Sequence, residues 1–369
     1  MIEVQDIKKS SLAENPVIAQ MALNNHEQVV FCNDNETGLK AIIAIHNTIL
    51  GPSLGGTRMW AYNNEMEALT DVLRLSRGMT YKSSVAGLNL GGGKAVIIGD
   101  AKTQKNETLM RRFGKFVNSL SGKYITAEDV GVNTRDMEYI KMETNFVSGL
   151  PVNMGGSGDP SPVTAYGVYL SMKASAKEKW GNDSLEGKKI VVQGIGNVGD
   201  NLVRHLMKEN ARVSIYDIHE DRLKSVAKHT GAEIILDENS LFDLDMDIYA
   251  PCALGATVNT DSLNRLKCSI ICGAANNQLA DENVHGKMVI EKGILYAPDF
   301  VVNAGGIINV FYELQGYNRD RAMAHAEKIY QTTLNIFKTA KEQNIPTYMA
   351  ANRLAEKRIA DIGKVKLSF

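Results

Sequence analysis

The spacing of apolar and polar positions changes near residue 150, and strands and helices are mixed before that point. Helical periodicity there predicts a helix from Glu65 to about Val85 and a second helix over 106–120, for which Asn106 is the expected N-cap. Apolar enrichment predicts four strands, over residues 29–34, 39–52, 94–100 and from 124 into a loop.

A stretch rich in glycine, proline and small polar residues follows at 148–167 and predicts a hinge that leads into a helix near Pro162. Beyond it, short apolar strands alternate with helical stretches, which is typical of a parallel sheet covered on both faces. Residues 319–357 are predicted to be mostly helical and lie outside the alternation. The five strands are predicted over 188–196, 211–217, 247–253, 268–276 and 293–299.

These patterns predict an α/β protein, and 369 residues suit two domains. We expect an N-terminal α/β substrate-binding domain over 1–150, completed by the C-terminal helices over 331–369. A Rossmann-type dinucleotide-binding domain is expected over 151–330, with the active-site cleft between the two domains.

Composition narrows the class of protein. The chain is 44% hydrophobic and 22% charged with a net charge of -1, which is typical of a globular protein and argues against nucleic acid or a membrane as partner. The first residues lack an apolar signal-peptide core, and no apolar run approaches a membrane span, so a cytoplasmic location is expected. No metal site is expected, because no zinc-ligand spacing occurs. Buried free thiols are expected for all four cysteines, Cys32, Cys252, Cys268 and Cys272.

Three glycines precede Lys94 in the stretch "GLNLGGGKAVI". A phosphate-binding P-loop would need glycine at Leu88 and a hydroxyl residue at Ala95, so the spacing excludes it. The lysine could be an ordinary surface charge. Three positions without side chains would instead let the backbone and a substrate approach the amine closely.

The stretch "VVQGIGNVGDNLVRHL" places Gly194, Gly196 and Gly199 in G-x-G-x-x-G spacing between a predicted strand and a predicted helix. In that context the glycines permit a tight turn, approach to a pyrophosphate and close helix–strand packing. Asp217 ends the next strand, where it can accept hydrogen bonds from the ribose hydroxyls, so NAD is favoured over NADP. Arg222 could soften this preference, and a methyltransferase turn is the alternative.

Several long motifs occur in one order along nearly the whole chain: "GPSLGGTRMW", "GMTYKSSVAGLNLGGGK", "TAEDVG", "GIGNVG", "APCALG", "GAANNQL" and "APDFVVNAGGIINV". Together they resemble the glutamate/leucine/phenylalanine/valine dehydrogenase family, and most closely its branch that acts on leucine. The resemblance implies reversible oxidative deamination of an L-amino acid to a 2-oxo acid and ammonia, with NAD(P) as the hydride acceptor. It also implies a homo-oligomer.

The resemblance implies roles for single residues. Lys82 would hold the substrate carboxylate, Lys94 would be the catalytic base and Asp129 would shuttle protons at the amine. An ordinary lysine, with a pKa of about 10.4, must be desolvated or placed beside a cation such as Lys82 to act as a base. Asn303 would help to fix the substrate between the domains. The cofactor would lie against Gly194, Ile195, Gly196, Asn197, Val198, Gly199, Asp217, Thr164 and Asn276.

The substrate side chain is expected to be apolar. Glutamate-specific members of the family typically have a lysine where this chain has Leu54, and an apolar residue there would leave a second carboxylate unpaired. Leucine, isoleucine and valine are therefore expected, since one pocket tolerates a methylene more or less. The other expected pocket residues are Gly55, Met79, Ile307 and Val310.

Other functions stay open at this point. Phenylalanine and tryptophan enzymes share most of these motifs. A hydroxy-acid oxidoreductase would need a histidine–carboxylate pair, and neither His205 nor His219 has an evident partner. A non-catalytic NAD-binding regulator would leave the two lysines and Asp129 without a purpose.

Overall fold

The computed structural model describes residues 17–366, which form two compact units. The first unit runs up to Gly158 and also takes Glu313–Tyr317 and the chain from Ala355 onward. The second unit takes Asp159–Tyr312 and Asn318–Leu354. Both units are layered α/β structures, which confirms the expected fold class.

The first unit is built on a mixed five-stranded sheet of order β1-β2-β4-β3-β5. Strand β2 is antiparallel to β1 and β4, whereas β3 is parallel to both β4 and β5. The strands are β1 (Gln28–Asp34), β2 (Leu39–Asn47), β3 (Ser53–Trp60), β4 (Gly91–Ile98) and β5 (Tyr124–Glu128).

Helices cover both faces of this sheet. Alternate residues of β2 and β4 pack on α2 on one face, and on α3 and α4 on the other. Burial on both faces explains why these two strands are nearly continuous apolar runs. The helices of the first unit before the seam are α1 (Val17–Leu23), α2 (Glu65–Val85), α3 (Glu107–Ser119) and α4 (Thr134–Lys141).

The local sequence signals locate most of these elements. Helix α2 has the predicted bounds, and the Asn106 side chain caps α3 by accepting a hydrogen bond from the backbone N–H of Leu109 at 2.9 Å. The predicted strand over 39–52 ends earlier, at Asn47. Strand β3 was not predicted, because the Gly55-Gly56 pair lowers strand propensity and conceals its apolar pattern.

The second unit contains a wholly parallel six-stranded sheet of order β11-β10-β9-β6-β7-β8. The chain reverses its direction of progress between β6 and β9, and this switch point is where a doubly wound sheet binds ligands. The alternating pattern therefore predicts a parallel sheet and five of its strands correctly, and it misses the two-residue strand Glu233–Ile234. Its strands are β6 (Lys189–Gln193), β7 (Arg212–Tyr216), β8 (Glu233–Ile234), β9 (Ile248–Pro251), β10 (Ile270–Ile271) and β11 (Leu295–Tyr296).

The predicted hinge stretch contains one short 3-10 turn, Val152–Met154, and the helix after it starts at Ser161, one residue before the expected Pro162. The remaining helices, numbered on from α4, are α5 (Ser161–Trp180), α6 (Asn197–Lys208), α7 (Glu220–Thr230), α8 (Glu238–Leu241), α9 (Thr260–Arg265), α10 (Glu282–Glu291), α11 (Asp299–Val302), α12 (Gly305–Glu313), α13 (Arg319–Ala326), α14 (Lys328–Gln343) and α15 (Thr347–Lys366).

The C-terminal helices are divided between the two units. Helix α14 packs on α5 and groups with the second unit, as does the chain up to Leu354. Only the part of α15 from Ala355 groups with the first unit, where the Ser84 hydroxyl donates to the Ala355 carbonyl at 2.8 Å. Packing thus differs from the expectation that 331–369 as a whole completes the first domain.

All four cysteines are free thiols. Cys32, Cys268 and Cys272 are buried as expected, whereas Cys252 is only partly buried because it lies in the loop that follows β9. Over residues 17–366, no helix is both long enough and apolar enough to cross a bilayer.

Candidate active site

A buried ion pair lies at the centre of the first unit. Lys94 extends from β4, is only 6% exposed, and its Nζ is 2.8 Å from Oδ2 of Asp129. Asp129 directly follows β5, and its side chain is 22% exposed. The structure thus brings together the two residues that the sequence nominates for proton transfer.

The carboxylate of Asp129 is ionised in this arrangement. Burial alone would raise the pKa of Asp129, but the charges of Lys94 and Arg58 and a backbone N–H lower it further than burial raises it. The site therefore presents an anion, beside a cation, next to the glycine-rich start of β4.

The three glycines before Lys94 serve packing inside the protein. A Cβ on Gly91 would lie 1.9 Å from the Asn47 carbonyl oxygen, and one on Gly92 would lie 2.1 Å from the backbone nitrogen of Thr80. A Cβ on Gly93 would lie 2.7 Å from the ring of Tyr124. Close approach of β4 to its neighbours requires these glycines, which is a different reason from the substrate access expected from the sequence.

A guanidinium links the ion pair to α2. Arg58 lies on β3, and its Nε is 3.1 Å from Oδ2 of Asp129 while its Nη1 is 2.9 Å from Oδ2 of Asp71. Asp71 also accepts a hydrogen bond from the Tyr62 hydroxyl at 2.7 Å and pairs with Arg74 at 2.9 Å. Asp129 is thus one end of a connected polar network on the same side of the sheet.

The sequence did not single out Arg58 or Asp71. Arg58 lies within the quoted motif "GPSLGGTRMW", but with β3 unrecognised the residue gave no sign of lying between two carboxylates. A charged residue on a strand with parallel neighbours on both sides is unusual, so recognising the strand would have marked it.

The other expected substrate residues of the first unit lie on β3 and α2. Leu54 is buried on β3 and pairs with Gly92 of β4 and Ile125 of β5. Gly55 follows it, and its carbonyl accepts a hydrogen bond from the Tyr124 hydroxyl at 2.6 Å. Met79 and Lys82 are both partly buried on the C-terminal half of α2, the helix that packs on β4.

The glycine motif of the second unit forms a tight turn between β6 and α6. Gly194 has a φ of +94°, which favours glycine, and a Cβ there would lie 2.5 Å from the Ala253 side chain. A Cβ on Gly199 would lie 2.1 Å from the Gly194 carbonyl oxygen, whereas one on Gly196 would meet no atom within 4 Å. Gly196 is the N-cap of α6 and its position has no capping side chain. Open space at a helix N-terminus suits an anionic group.

Three further residues predicted to contact the cofactor lie between the glycines of this turn. Ile195 is buried, and Asn197 and Val198 form the first turn of α6. Asp217, just past β7, accepts hydrogen bonds from the backbone N–H groups of Ile195 and His219, each at 2.9 Å. Burial would raise the pKa of Asp217, but these two N–H groups and Arg222 lower it. The structure therefore joins the glycine turn and the acidic residue, as the motif predicts.

A second polar cluster of this unit includes two more of the predicted residues. The Nδ2 of Asn303 donates to Oδ1 of Asn276 at 2.7 Å and to the Ala274 carbonyl at 2.9 Å. These bonds fix the amide, and its Oδ1 is buried without a hydrogen-bond partner within residues 17–366. A buried acceptor left in this state is suited to a ligand donor.

Thr164 lies on the first turn of α5, where its hydroxyl donates to the Pro160 carbonyl at 3.0 Å. A Cβ on Gly306 would lie 3.1 Å from that hydroxyl oxygen, so the start of α12 passes close to Thr164. Helix α12 also carries Ile307, which is buried, and Val310, which is partly buried.

Within residues 17–366, the ring of neither His205 nor His219 contacts a carboxylate. His205 stacks on Tyr169 with ring centroids 5.2 Å apart, and burial lowers its pKa. His219 is the N-cap of α7. Neither contact gives the histidine–carboxylate pair that a hydroxy-acid oxidoreductase would need.

Comparison with known proteins identifies relatives over nearly the whole chain. The model "Glu/Leu/Phe/Val dehydrogenase, dimerisation domain" matches residues 26–146, and the model "Glutamate/Leucine/Phenylalanine/Valine dehydrogenase" matches 155–220 and 213–366. Leucine dehydrogenase of Geobacillus stearothermophilus is 54% identical over 349 residues, which cover 95% of each chain.

Two further relatives differ in the substrate that their names give. Valine dehydrogenase of Streptomyces virginiae is 51% identical over 338 residues, covering 91% of this chain and 94% of its own. The crystal structure of L-tryptophan dehydrogenase from Nostoc punctiforme superposes with a TM-score of 0.84 at 44% identity, covering 94% of this chain and 99% of that one.

Proposed function

Because the chain belongs to the Glu/Leu/Phe/Val dehydrogenase family, and is therefore an amino acid dehydrogenase, we propose that it deaminates branched aliphatic L-amino acids with NAD. The reaction converts leucine, isoleucine or valine, with NAD⁺ and water, into the 2-oxo acid, ammonium, NADH and a proton. It is reversible. The observation that carries the proposal is the buried contact of 2.8 Å between Lys94 and Asp129.

The chemistry needs groups that move protons at two atoms of the substrate. The substrate ammonium must lose a proton before hydride leaves Cα, and a water molecule must be deprotonated as it adds to the iminium carbon. Asp129, held as an anion, accepts the proton of the ammonium. Lys94 enters the cycle neutral, takes the proton of the attacking water and afterwards releases it to solvent as the proton on the product side. Asp129 gives its proton to the leaving ammonia, which departs as ammonium. The burial of Lys94 keeps other water away.

Two other residues orient the amino acid in this proposal. Lys82, on the helix that packs on β4, binds the substrate carboxylate through a charge-assisted hydrogen bond. Asn303 offers its unpaired Oδ1 to an N–H of the substrate, and the two hydrogen bonds of its Nδ2 keep that oxygen in place. Asp129 and Lys94 then act on a substrate whose polar ends are fixed.

The residues of the second unit fit NAD. The pyrophosphate would lie at the N-terminus of α6, where Gly196 leaves space and Gly194 and Gly199 shape the turn. Asp217 would bind the ribose hydroxyls, and its negative charge disfavours a 2′-phosphate. Thr164 and Asn276 would lie toward the nicotinamide, which supplies hydride acceptance when bound. The turn residues Ile195, Asn197 and Val198 complete this site.

An apolar substrate side chain is supported by Leu54, which is buried on β3 beside Gly55. Met79, Ile307 and Val310 are the further apolar residues proposed to surround it. Burying a charged substrate group among such residues would cost several kcal/mol, roughly 2–7 even for a neutral polar group. The relatives named leucine and valine dehydrogenase agree with this preference.

The similarity to the tryptophan enzyme supports an aromatic amino acid as the second candidate substrate. The discriminating experiment incubates the protein with each of the twenty amino acids and NAD and follows absorbance of the reduced cofactor. Leucine, isoleucine and valine are expected to have the highest kcat/KM. Faster turnover of tryptophan or phenylalanine would replace the aliphatic assignment. If none of the twenty amino acids is turned over, the proposed function is overturned.

We also propose that the protein works as a homo-oligomer in the cytoplasm. The family model that matches residues 26–146 is described as a dimerisation domain. Sedimentation velocity at micromolar concentration tests the first part, since a purely monomeric species would contradict it.

A further inference from the structure

Arg58 contacts the proposed proton-transfer pair without having been assigned a role. Its Nε and the Nζ of Lys94 approach the same oxygen, Oδ2 of Asp129, at 3.1 and 2.8 Å. Its Nη1 bonds Asp71 on α2 at 2.9 Å. The Arg58 guanidinium therefore connects the carboxylate of Asp129 to that of Asp71.

The anchor is itself well held. The Tyr62 hydroxyl donates to the Asp71 oxygen that Arg58 contacts, and Arg74 pairs with the other oxygen at 2.9 Å. Because a guanidinium is planar and presents its donors in a fixed fork, a bond to Asp71 at one end sets the direction of the bond to Asp129 at the other. Arg58 thus fixes where Oδ2 of Asp129 points.

Arg58 and Lys94 share Oδ2 of Asp129, so the protonation state of Lys94 decides how many cations lie beside this carboxylate. While Lys94 is protonated, Asp129 has two cationic neighbours; once Lys94 gives up its proton, only Arg58 remains at that oxygen. Without Arg58, deprotonation of Lys94 would leave a half-buried carboxylate with no cation beside it, at an electrostatic cost. The groups that face Asp129 are Lys94 from β4, Arg58 from β3 and Tyr124 from β5, with Asp71, Tyr62 and Arg74 behind Arg58.

We propose that Arg58 is a positioning residue of the deamination: anchored by Asp71, it aims the Asp129 carboxylate and keeps it an anion while Lys94 is neutral. The inference rests on the proposed function of Asp129 as the proton shuttle. It assigns Arg58 and Asp71 to the catalytic apparatus although neither touches the substrate.

The test measures kcat/KM for leucine against pH in R58Q, R58K and R111Q, with the melting temperature of each variant. Loss of the cation in R58Q favours the protonated form of the Lys94–Asp129 pair, whose deprotonation the acidic limb of the profile reports, so that limb moves to higher pH by about one unit. R111Q is the matched control, since Arg111 forms ion pairs with Glu107 and Glu143 and has no contact with Asp129 or Asp71 among residues 17–366. Its profile is expected to match that of the wild type.

R58K keeps a cation on the same strand, which makes a folded protein available if R58Q does not fold. A lysine cannot bond both carboxylates as the guanidinium does, so kcat should fall about tenfold, the equivalent of one charge-assisted hydrogen bond. Its limb should move less than that of R58Q. An acidic limb at the wild-type pH in R58Q overturns the proposal, because a purely structural role would leave the pH profile unchanged. A kcat and an acidic limb equal to those of the wild type in R58K overturn it as well.

A further variant separates this proposal from the one it rests on. D129N is expected to lose turnover while still binding NAD. If D129N turns over leucine normally, the proposed function of Asp129 fails and the role of Arg58 fails with it. If D129N is inactive but the acidic limb of R58Q matches that of R111Q, only the positioning role of Arg58 is refuted.

Discussion

The close contact between β4 and α2 makes Gly92→Ala a sharp test of how the site is built. The new Cβ would lie 2.1 Å from the backbone nitrogen of Thr80 and 2.6 Å from the Ser76 carbonyl oxygen. Ordinary van der Waals contact begins at 3.4 Å, so strand and helix must separate by more than an ångström. Both neighbours are backbone atoms of α2, and no side-chain rotation relieves the overlap.

Two effects are expected from this separation. Overpacking of a tight core costs typically 1–3 kcal/mol, and a backbone clash belongs at about the upper end. At roughly 2–4 °C per kcal/mol for a domain of this size, the melting temperature should fall by about 6–12 °C. Because α2 carries Lys82 two residues beyond Thr80, the KM for the amino acid should rise as well.

Gly78→Ala is the matched control. Gly78 lies on the exposed face of the same helix, and a Cβ there would meet no atom within 4 Å. Replacing a helical glycine by alanine stabilises by about 0.5–1 kcal/mol, so this variant should melt slightly higher with unchanged KM. If G92A melts within about 1 °C of the wild type, the packing reason given for the glycines is wrong.

Two further outcomes follow from the structure. Asp217→Ala should raise the KM for NAD about tenfold or more, because hydrogen bonds to a charged group are lost. It should also reduce the preference for NAD over NADP in steady-state kinetics. Unchanged selectivity would show that Asp217 does not bind the ribose. Burial and the charges of His26 and Arg77 lower the pKa of His46 to about 4. The unfolded chain therefore binds a proton that the folded protein excludes, and between pH 6.5 and 4 stability should fall by at most about 1.4 kcal/mol per pH unit from this group. His46→Gln should show a shallower acid loss in urea unfolding, and an identical slope would contradict the assignment.

The sequence pattern predicted some elements of the fold and missed others. The period of apolar residues and the cap at Asn106 located α2 and α3, because helix signals are local in the chain. The parallel arrangement of the second sheet followed from the strand–helix alternation, whereas the order of its strands did not. Strand β3 was missed, since Gly55 allows the close approach of β4 and Gly56 that of the end of β5, and these requirements appear only when the sheet is assembled.

The site was predictable where a motif is contiguous and not where it depends on pairing across the fold. Lys94 and the glycine turn with Asp217 were recognisable from short stretches. Arg58 and Asp71 were not, because they are 13 residues apart in the chain and meet only when α2 packs on the sheet. The division of the C-terminal helices between the two units likewise depends on which surface α14 covers. The sequence of α14 itself carries no local signal that identifies this surface.

The central claim is that Lys94 is the base for carbon chemistry on a bound amino acid. Its most direct test is steady-state turnover of leucine with NAD in Lys94→Ala, with NAD binding measured by calorimetry on the same preparation. We expect wild-type affinity for NAD, because Lys94 lies on β4 and not in the glycine turn of the second unit, and almost no turnover, because no base remains to deprotonate the water that attacks the iminium. Turnover at the wild-type rate with NAD bound would contradict this claim.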